Sequence, residues 1–328
     1  MDKDEPVEQT RLLVVIVNYM SCKLVSELVG ELSIQKLPTN VAMSIICADN
    51  SCSDYEASSL RAALAQHSSI TKVTVNDENL GFGSAVNTSL TTLCNAATSE
   101  SSFDFLLCIN PDVTLHSDTI FQLLVHAETH ANQGIWGGIT VDDNIEPDYR
   151  HAWQEPTLLN TAAWAIGLKK IVSAACFQDN YRHIRNQHQV PYPVDSVSGC
   201  LLLISQNAWH SIGQFDSDYF LYSEEIDLCR KARSLGFQPT VVPSAILQHA
   251  HHSKSEFIKR LEPLFSSKLM YAEKHHGLMY NILYRTSIVI GAMLRIFNAL
   301  ATRNSNEIKA WSKIFLISFT NRKTSTQR

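Results

Sequence analysis

The chain has 328 residues, of which 45% are hydrophobic and 18% are charged. This composition excludes a disordered or fibrous protein, and the length allows one large or two ordinary domains with a substantial core. The formal net charge of −5 is unevenly spread, because residues 1–252 hold 14 Lys and Arg against 28 Asp and Glu, whereas residues 253–328 hold 13 against 4. The basic C-terminal region is also apolar, which favours an anionic membrane surface rather than nucleic acid as its partner.

The cysteines and the N-terminus indicate a cellular compartment. The eight cysteines are scattered, and no pair has the Cys-x-x-Cys spacing of a zinc or redox site. We therefore expect reduced thiols in a cytosolic protein. Residues 1–6 are acidic and lack the basic and then apolar order of a signal peptide, so we do not expect export by that route.

Two apolar runs near the N-terminus predict buried strands of a parallel sheet. Residues 12–17 and 44–48 are each followed directly by polar residues, so each strand brings polar side chains to its carboxyl end. Between the runs, residues 21–37 repeat apolar side chains at helical intervals, and Ser21 is the expected N-cap. A strand, a helix and a strand within about 40 residues are typical of the βαβ unit of a doubly wound sheet.

A pair of glycines predicts a ligand-binding loop. A helix at about 55–66 and a strand at about 70–75 precede Gly81 and Gly83, which allow the backbone to approach a ligand closely. The helix that opens near Ser84 presents unpaired N–H groups suited to a phosphate. A tight turn into a helix explains the same pattern without a ligand.

A further apolar run, residues 105–109, ends at Asn-Pro-Asp. Pro111 stops the strand because it cannot donate to a ladder, so Asp112 is delivered to the carboxyl edge of the sheet. Open α/β sheets bind ligands at that edge. A plain turn at residues 110–112 is the alternative.

The next part of the chain continues the sheet. The pattern predicts a helix at 117–130 and strands at 135–141 and 201–204. Residues 142–192 are less regular, with aromatic and basic side chains interleaved. They fit either an acceptor-side insertion or lid, or a packed helical hairpin with no chemical role.

An acidic centre follows the aromatic-rich residues 215–223. If the chain is helical from Glu224, that residue and Asp227 share a face, while Glu225 points elsewhere. Acidic residues at a helix N-terminus also favour the macrodipole, which is a purely structural explanation. Their position directly after the aromatic loop favours chemistry.

Three histidines follow a strand-like run that begins at residue 240. His249, His251 and His252 justify a metal-ligand hypothesis, although they are too close together for all of them to serve one ion.

The last part of the chain, residues 257–319, has a helical and strongly apolar pattern. Arg285 and Arg295 leave only nine uncharged residues between them, which indicates that the run is too short for a membrane span. We expect an amphipathic helix in the membrane interface, with Arg and Lys side chains at the lipid headgroups. Docking onto the core of the protein is the alternative.

Five ordered motifs within residues 12–255 resemble the family 2 glycosyltransferases, in particular their bacterial rhamnosyltransferase-like branch. They occupy residues 17–19, 49–54, 78–82, 110–112 and 222–228. The resemblance implies a GT-A fold, which is an α/β fold with a mostly parallel sheet. Residues 1–255 would form this domain, with a Rossmann-like nucleotide-binding half at about 11–115 and an acceptor half at about 116–255. Residues 256–328 would form a helical, basic region.

The resemblance also implies individual roles. The residues that would bind the nucleotide sugar are Val17, Asn18, Tyr19, Asp49, Asn50, Asn79, Gly81, Phe82, Asn87 and Asn110. Asp112 corresponds to the last Asp of the family's Asp-x-Asp metal motif, with Asn110 in the place of its partner. Asp112 and His249 would hold Mg²⁺ or Mn²⁺, which offsets the charge that builds on a leaving diphosphate.

Glu225 stands where the family has its catalytic Asp. It would take the proton from the acceptor hydroxyl, with Glu224 and Asp227 positioning the acceptor or tuning the pKa of the base. A single base opposite a single leaving group gives one displacement and therefore inversion.

The expected function is inverting transfer of rhamnose or a similar sugar in cell-surface glycan synthesis. The donor would be a dTDP- or UDP-linked sugar, and the acceptor a lipid-linked or polysaccharide glycan at the cytoplasmic membrane face. A sugar-phosphate nucleotidyltransferase is a second hypothesis, but no Gly-rich, basic loop for a triphosphate lies near the N-terminus. A non-catalytic nucleotide-sugar-binding protein is the third, which Asn110 permits and which Asp112 and Glu225 argue against.

Overall fold

The structure is a computed structural model that describes residues 9–95, 102–168, 181, 190–250 and 254–320. Within them, a mixed sheet of nine strands has the order β3-β2-β1-β4-β10-β6-β11-β5, and β8 pairs with β11. A separate pair joins β7 and β9. The strands are β1 (Thr10–Asn18), β2 (Val41–Asp49), β3 (Thr71–Val75), β4 (Phe105–Ile109), β5 (Val113–Leu115), β6 (Ile135–Val141), β7 (Ala152–Trp153), β8 (Tyr192–Pro193), β9 (Ser196–Val197), β10 (Leu201–Ser205) and β11 (Thr240–His249).

Helices cover the sheet and complete the C-terminal region. In the part of the chain that the structure describes they are α1 (Cys22–Ser33), α2 (Asp54–Leu64), α3 (Phe82–Asn95), α4 (Thr119–Thr129), α5 (Leu158–Ala165), α6 (Gln206–Ile212), α7 (Glu224–Ser234), α8 (Lys254–His275), α9 (Leu278–Ala301) and α10 (Ser305–Ile317). Short 3-10 helices occupy Ala65–His67 and Ala131–Gln133.

The two faces of the sheet carry separate cores. Leu12, Val14 and Ile16 of β1 pack with α1, α2 and α4, whereas Leu13 and Val15 pack on the opposite face with α3, α6 and α7. Because alternate side chains are buried on both faces, the strand reads as a continuous apolar run. The predicted buried parallel strands are therefore confirmed, and β1, β2, β3 and β4 are mutually parallel.

The predicted halves of the chain share this one sheet. Strand β10, from the second half, pairs antiparallel with β4 of the first half and with β6. The carboxyl end of β4 therefore lies beside the start of β10, a position that matters for the site below.

Ser21 occupies the N-cap position of α1, as predicted, but its side chain makes no capping bond. Its hydroxyl donates instead to Oδ1 of Asn18 at 2.8 Å. Helix α1 also ends at Ser33 rather than at residue 37.

Part of the irregular segment 142–192 lies outside the described residues, including Arg182 and Arg185. The described part contains β7, β8 and α5. Helix α5 is stabilised by a capping box in which Thr157 and Asn160 bond each other's backbone N–H groups.

The C-terminal helices form a third core with α5. Phe265 of α8, Trp164 of α5 and Trp311 of α10 are in mutual ring contact. The guanidinium of Arg295 lies 3.8 Å from the centre of the Trp164 ring and donates to the Trp164 carbonyl oxygen at 3.0 Å. Arg285 bonds the Ser318 carbonyl oxygen at 3.1 Å and pairs with Glu273 at 3.2 Å. Both arginines therefore face the protein, and their predicted placement at lipid headgroups is wrong.

The length of helix α9 contradicts the prediction that the apolar run is too short to span a membrane. Within the described residues it is the one helix that is long and apolar enough to cross a membrane on length and composition alone, so the two arginines do not exclude a span. One such helix is weak support for a span, because core helices of soluble proteins can show the same pattern. One face of α9, including Tyr284, Ile288 and Ala292, is buried against the protein, so the alternative of docking onto the core holds for that face.

Gly291 marks the closest approach of α9 to α5. A Cβ there would lie 2.4 Å from the Trp164 ring, whereas a Cβ at Gly30 in α1 would have no neighbour within 4 Å. We expect Gly30→Ala to raise the free energy of unfolding by up to about 1 kcal/mol, because Ala is the better helix former. Gly291→Ala should lower it by about 1–3 kcal/mol, because overpacking outweighs that gain. Urea unfolding measures both, and equal stabilisation by the two variants would contradict the packing of α9 on α5.

Candidate active site

The sheet aligns the ends of its parallel strands. Asn18 at the end of β1 is in register with Asp49 at the end of β2, and Asp49 is in register with Val75 of β3. Ile16 of β1 is in register with Ile109, the last residue of β4. The polar residues that follow these strands therefore meet at one edge, as the apolar runs predicted.

Asn18 and Asp49 form the first polar cluster at this edge. Both are fully buried, and Nδ2 of Asn18 donates to Oδ1 of Asp49 at 2.9 Å. The backbone N–H of Ser51 donates to the same oxygen at 3.0 Å. Oδ2 of Asp49 has no hydrogen-bond partner among the described residues. A buried carboxylate oxygen without a donor is costly, which makes this atom a candidate to receive a ligand N–H or O–H.

Asn18 is held by its neighbours rather than left open. Its Oδ1 accepts from the backbone and hydroxyl of Ser21, and its Nδ2 also reaches Glu56 at 3.4 Å. Glu56 in turn accepts from the Cys22 backbone at 2.9 Å. Of the two flanking residues, Val17 is partly buried and Tyr19 is exposed. A direct contact of these three residues, 17–19, with a nucleotide stays a prediction.

The second cluster shapes the loop after β3. Nδ2 of Asn50 donates to the Gly81 carbonyl oxygen at 2.8 Å, and Nδ2 of Asn76 donates to Oδ1 of Asn50 at 2.7 Å. The Gly81 N–H donates to Oδ1 of Asn79 at 3.1 Å. These bonds fix the loop in which the sequence predicted a ligand.

This loop is packed against the residues that precede α7. Gly81 has a φ of +77°, and a Cβ there would lie 1.8 Å from the Phe220 carbonyl oxygen. The Phe82 N–H donates to that same oxygen at 3.1 Å. Asn87 adds a second tie, because its amide donates to the Phe215 carbonyl and accepts from the Phe215 N–H. The structure thus gives Asn87 a bracing contact, while a contact with the nucleotide stays a prediction.

Asp112 and His249 meet at the other side of the edge. Strand β5 pairs with β11 so that Val113 is opposite His249, and Nε2 of His249 lies 3.3 Å from Oδ1 of Asp112. Their side chains are 18% and 15% exposed, so both are reachable from solvent. The structure therefore brings together the two residues that were predicted as metal ligands. The other two predicted histidines, His251 and His252, lie outside the described residues.

Arg150 belongs to this part of the site and was not identified from the sequence. Its guanidinium donates to the carbonyl oxygens of His249 and Ala250, the second at 3.0 Å. Asp148 holds the guanidinium from the other side, with Nε to Oδ2 at 2.8 Å. Burial alone would raise the pKa of Asp148, but hydrogen bonds from Arg150 and Thr140 lower it below its usual value. Such a link between distant segments leaves no local sequence pattern.

Helix α7 begins at Glu224, as predicted, after a tight turn. Tyr222 and Ser223 both have positive φ, at +69° and +67°, which is uncommon outside glycine. Glu224 is only 5% exposed, and its Oε2 has no hydrogen-bond partner among the described residues. Glu225 is partly buried.

Burial controls the protonation of this pair. It raises the pKa of Glu225 to about 7 and raises the pKa of Glu224 well above its usual value, with the neighbouring Glu225 charge adding to the second shift. Burial therefore favours the neutral form of Glu224, and Glu225 is poised to exchange a proton near neutral pH.

Asp227 lies one turn further along and is 1% exposed. His275 of α8 approaches its Oδ1 at 2.6 Å, and Lys231 pairs with its Oδ2 at 2.7 Å. Its carboxylate thus joins α7 to α8, and its predicted role beside the base stays a prediction.

The two residues directly before β10, Gly199 and Cys200, adjoin the segments that carry the two acidic centres. The Asn110 N–H donates to the Cys200 carbonyl oxygen at 3.1 Å. A Cβ at Gly199 would lie 3.9 Å from the Phe82 ring and 4.0 Å from Cβ of Glu225. Burial, with a smaller contribution from the Asp112 carboxylate, raises the pKa of the Cys200 thiol to about 12. The Asn-Pro-Asp segment that ends in Asp112 and the residue Glu225 therefore both adjoin Gly199 and Cys200, at one edge of the sheet.

Comparison with known proteins gives the site its context. The family model described as glycosyltransferase like family 2 matches residues 10–262. The chain is 30% identical over 224 residues to an N-acetylglucosaminyl-diphospho-decaprenol L-rhamnosyltransferase of Mycobacterium tuberculosis, covering 66% of this chain and 70% of that relative. It is 21% identical over 168 residues to the rhamnosyltransferase WbbL of Escherichia coli, covering 48% and 56%.

Two solved structures share the architecture. The mannosyltransferase PcManGT from Pyrobaculum calidifontis, in complex with GDP-Man and Mn²⁺, gives a TM-score of 0.54 at 13% identity, over 96% of this chain and 87% of that one. GalNAc-T7 with UDP, GalNAc and Mn²⁺ gives a TM-score of 0.57 at 13% identity, over 82% of this chain and 48% of that one, so the match spans about half of its length. At this identity the likeness shows the fold alone.

The fold and the family expected from the five motifs are both confirmed. The sheet with its crossing helices is the GT-A fold, and the family match extends over most of the chain and includes every predicted site residue. The chain belongs to glycosyltransferase family 2.

Proposed function

We propose that this glycosyltransferase transfers rhamnose or a similar sugar, with inversion, from a dTDP- or UDP-linked donor to a lipid-linked acceptor in cell-surface glycan synthesis. The observation that carries the proposal is that the segment bearing Asp112, which lies beside His249, and Glu225 both adjoin Gly199 and Cys200, the two residues directly before β10. The name of the mycobacterial relative supports L-rhamnose as the sugar and a glycan on a polyprenyl diphosphate as the acceptor. Such an acceptor lies in a membrane, so the enzyme would work at its cytoplasmic face.

Donor binding would use the two buried polar clusters. The free Oδ2 of Asp49 can accept a hydrogen bond from the base or ribose. The loop from Asn79 to Phe82 would close over the nucleotide, since its backbone is already held in one conformation by Asn50. A preformed loop lowers the entropy that binding would otherwise lose.

The protein residues fit a divalent cation that binds together with the nucleotide. Asp112 and His249 supply one carboxylate and one imidazole, which Mn²⁺ accepts, and no group of three or more His, Cys, Asp or Glu able to hold a metal occurs in the described part of the chain. With only two protein ligands, the remaining coordination positions of the cation would be filled by diphosphate oxygens and water. When bound, the cation would offset the negative charge of the leaving diphosphate.

Glu225 would act as the base on the other side of the sugar. A carboxylate whose pKa is about 7 is close to the ideal for proton transfer at neutral pH. Burial and the neighbouring Glu225 charge raise the pKa of Glu224, so Glu224 favours its neutral form, which reduces the repulsion between the two adjacent carboxylates. Glu224 can then donate its proton in a hydrogen bond to the acceptor.

The other two hypotheses receive less support. A sugar-phosphate nucleotidyltransferase would not belong to this family. A binding protein without catalysis would not need a carboxylate with a raised pKa at the donor edge. We therefore retain the transferase as the function.

Nucleotide binding should depend on metal. A thermal-shift assay with UDP and dTDP, each with and without Mn²⁺, should show stabilisation by a diphosphate only when metal is present. At about a hundredfold excess over Kd, binding adds about 2.7 kcal/mol to the stability of the folded state. Asp112→Asn should lose the metal-dependent shift, whereas the exposed control Asp143→Asn should keep it. A full shift in EDTA would contradict the assigned metal role.

Replacement of the base should abolish transfer without affecting donor binding. Glu225→Gln should lower kcat by about 10²–10⁴-fold, because general base catalysis contributes that much. The KM for the donor should stay within a factor of about two. Glu128→Gln, on the exposed surface of α4, is the control and should behave as wild type. Normal turnover by Glu225→Gln would move the role to Glu224 or Asp227.

The pH dependence of transfer should report the same carboxylate. A base must be deprotonated, so kcat at saturating donor should rise about tenfold per pH unit up to about pH 7 and then level off. The residual rate of Glu225→Gln should not show this rise. A wild-type rate that stays flat from pH 5 to 8 would exclude a base whose pKa is about 7.

A further inference from the structure

The outer face of α9 is an exposed apolar surface of unusual length. We define it by its exposed large apolar side chains, which are Leu278, Met279, Ile282, Leu283, Ile290, Met293, Leu294, Phe297 and Leu300. They recur at helical intervals over 24 residues, or about 36 Å of helix. An apolar face of this length on a soluble surface indicates an interaction site.

No charged side chain interrupts the outer face. The charged residues of α9 are Arg285 and Arg295, and both are turned inward. Arg295 is held over the rings of Trp164 and Trp311, and Arg285 is held by the end of α10. The cations that broke the apolar pattern in the sequence thus belong to the opposite side of the helix.

The contacts of α9 exclude a transmembrane orientation in this fold. Its inner face, with Ile288, Gly291 and Ala292, is buried against the other C-terminal helices and α5. Gly291 fits against the Trp164 ring so closely that a Cβ would not fit. A helix that packs one face on a globular domain, here from Tyr284 to Ala299, can lie in a bilayer surface but is not free to cross it.

The charge of the C-terminal region indicates which partner the outer face of α9 binds. Residues 253–328 carry 13 basic against 4 acidic side chains, while the rest of the chain is acidic. Within this region Lys259, Arg303 and Lys309 are exposed, whereas Glu262 and Glu273 are paired with Lys313 and Arg285. An apolar face on a helical region that also carries exposed cations fits an anionic lipid leaflet, where apolar side chains lie among the acyl chains and basic ones contact the phosphates. A second copy of the chain would bring the same positive charge and repel it.

We propose that α9 lies in the plane of an anionic membrane, with its outer face among the acyl chains, and so holds the active site at the bilayer. This proposal rests on the proposed function, in which the acceptor is linked to a lipid.

The corner between α8 and α9 connects this surface to the site. His275, at the end of α8, bonds Asp227 in the first turn of α7 and lies three residues before Leu278. Ser267 of α8 also donates to the Leu221 carbonyl oxygen at 2.6 Å, in the loop before α7. The helix that carries Glu225 is therefore braced by α8, the element that leads into the membrane-binding face.

Vesicle sedimentation of the full chain tests the proposal. Wild type should bind vesicles of phosphatidylcholine with phosphatidylglycerol and bind much more weakly to phosphatidylcholine alone or at high salt. The double variant Met293→Glu with Phe297→Glu should bind the anionic vesicles at least about tenfold more weakly for each apolar side chain lost. Both positions are exposed, at 55% and 77%, so the fold should be kept, as circular dichroism would verify.

The matched control places the same charges on apolar side chains elsewhere. Ile34→Glu with Val125→Glu, at an 80% exposed position directly after α1 and a 41% exposed position on α4, should bind vesicles as wild type does. Equal binding by wild type and the α9 double variant would overturn the proposal. A second result would also overturn the proposal. If wild type is a dimer in sedimentation velocity, and the α9 double variant is a monomer that binds lipid as well as wild type does, the outer face of α9 binds a second copy of the chain rather than a membrane.

Transfer to a water-soluble, short-chain acceptor separates this proposal from the proposed function. Wild type and the α9 double variant should transfer at equal rates in that assay, because the variant changes only membrane attachment. If wild type shows no transfer in this assay but the α9 double variant still loses vesicle binding, the proposed function is wrong and the proposal that α9 binds membranes is supported.

Discussion

The contact between Gly81 and the Phe220 carbonyl oxygen is the constraint on which the site depends. It joins the loop after β3 to the loop before α7, and no side chain fits between them. The Phe82 N–H bonds the same oxygen, so the junction is made by backbone alone. A donor held by the first loop is therefore placed relative to Glu225 without a hinge, and such fixed geometry is what a displacement at one carbon requires.

Three acidic side chains in one turn of α7 are accommodated in three different ways. Asp227 is compensated by Lys231 and by His275 of the next helix. Glu224 is buried, and burial raises its pKa well above its usual value, which favours the neutral form. Glu225 is left to carry the charge and is the member that borders Gly199 at the donor edge. The cluster, for which the sequence favoured chemistry over the macrodipole alternative, is thus divided between structure and chemistry.

The sequence predicted those parts of the molecule that local patterns determine. Apolar runs followed by polar residues located β1, β2 and β4 and placed Asp49 and Asp112 at one edge, because a buried parallel strand must be apolar on both faces. The family motifs then supplied the partners of these residues. Contacts between distant segments could not be predicted in this way. Arg150 on the His249 carbonyl and Arg295 against Trp164 depend on tertiary packing, so the first was missed and the second was assigned to the wrong side of its helix.

The account requires that one sugar fits between the side chain at 112 and the carboxylate at 225. A crystal structure with Mn²⁺ and a donor analogue whose sugar cannot be transferred measures this directly. We expect the diphosphate to lie against Asp112 and His249. Glu225 should then lie on the opposite side of the anomeric carbon from the diphosphate. A diphosphate bound away from Asp112, or a sugar whose anomeric carbon is screened from Glu225 by protein, would contradict the account.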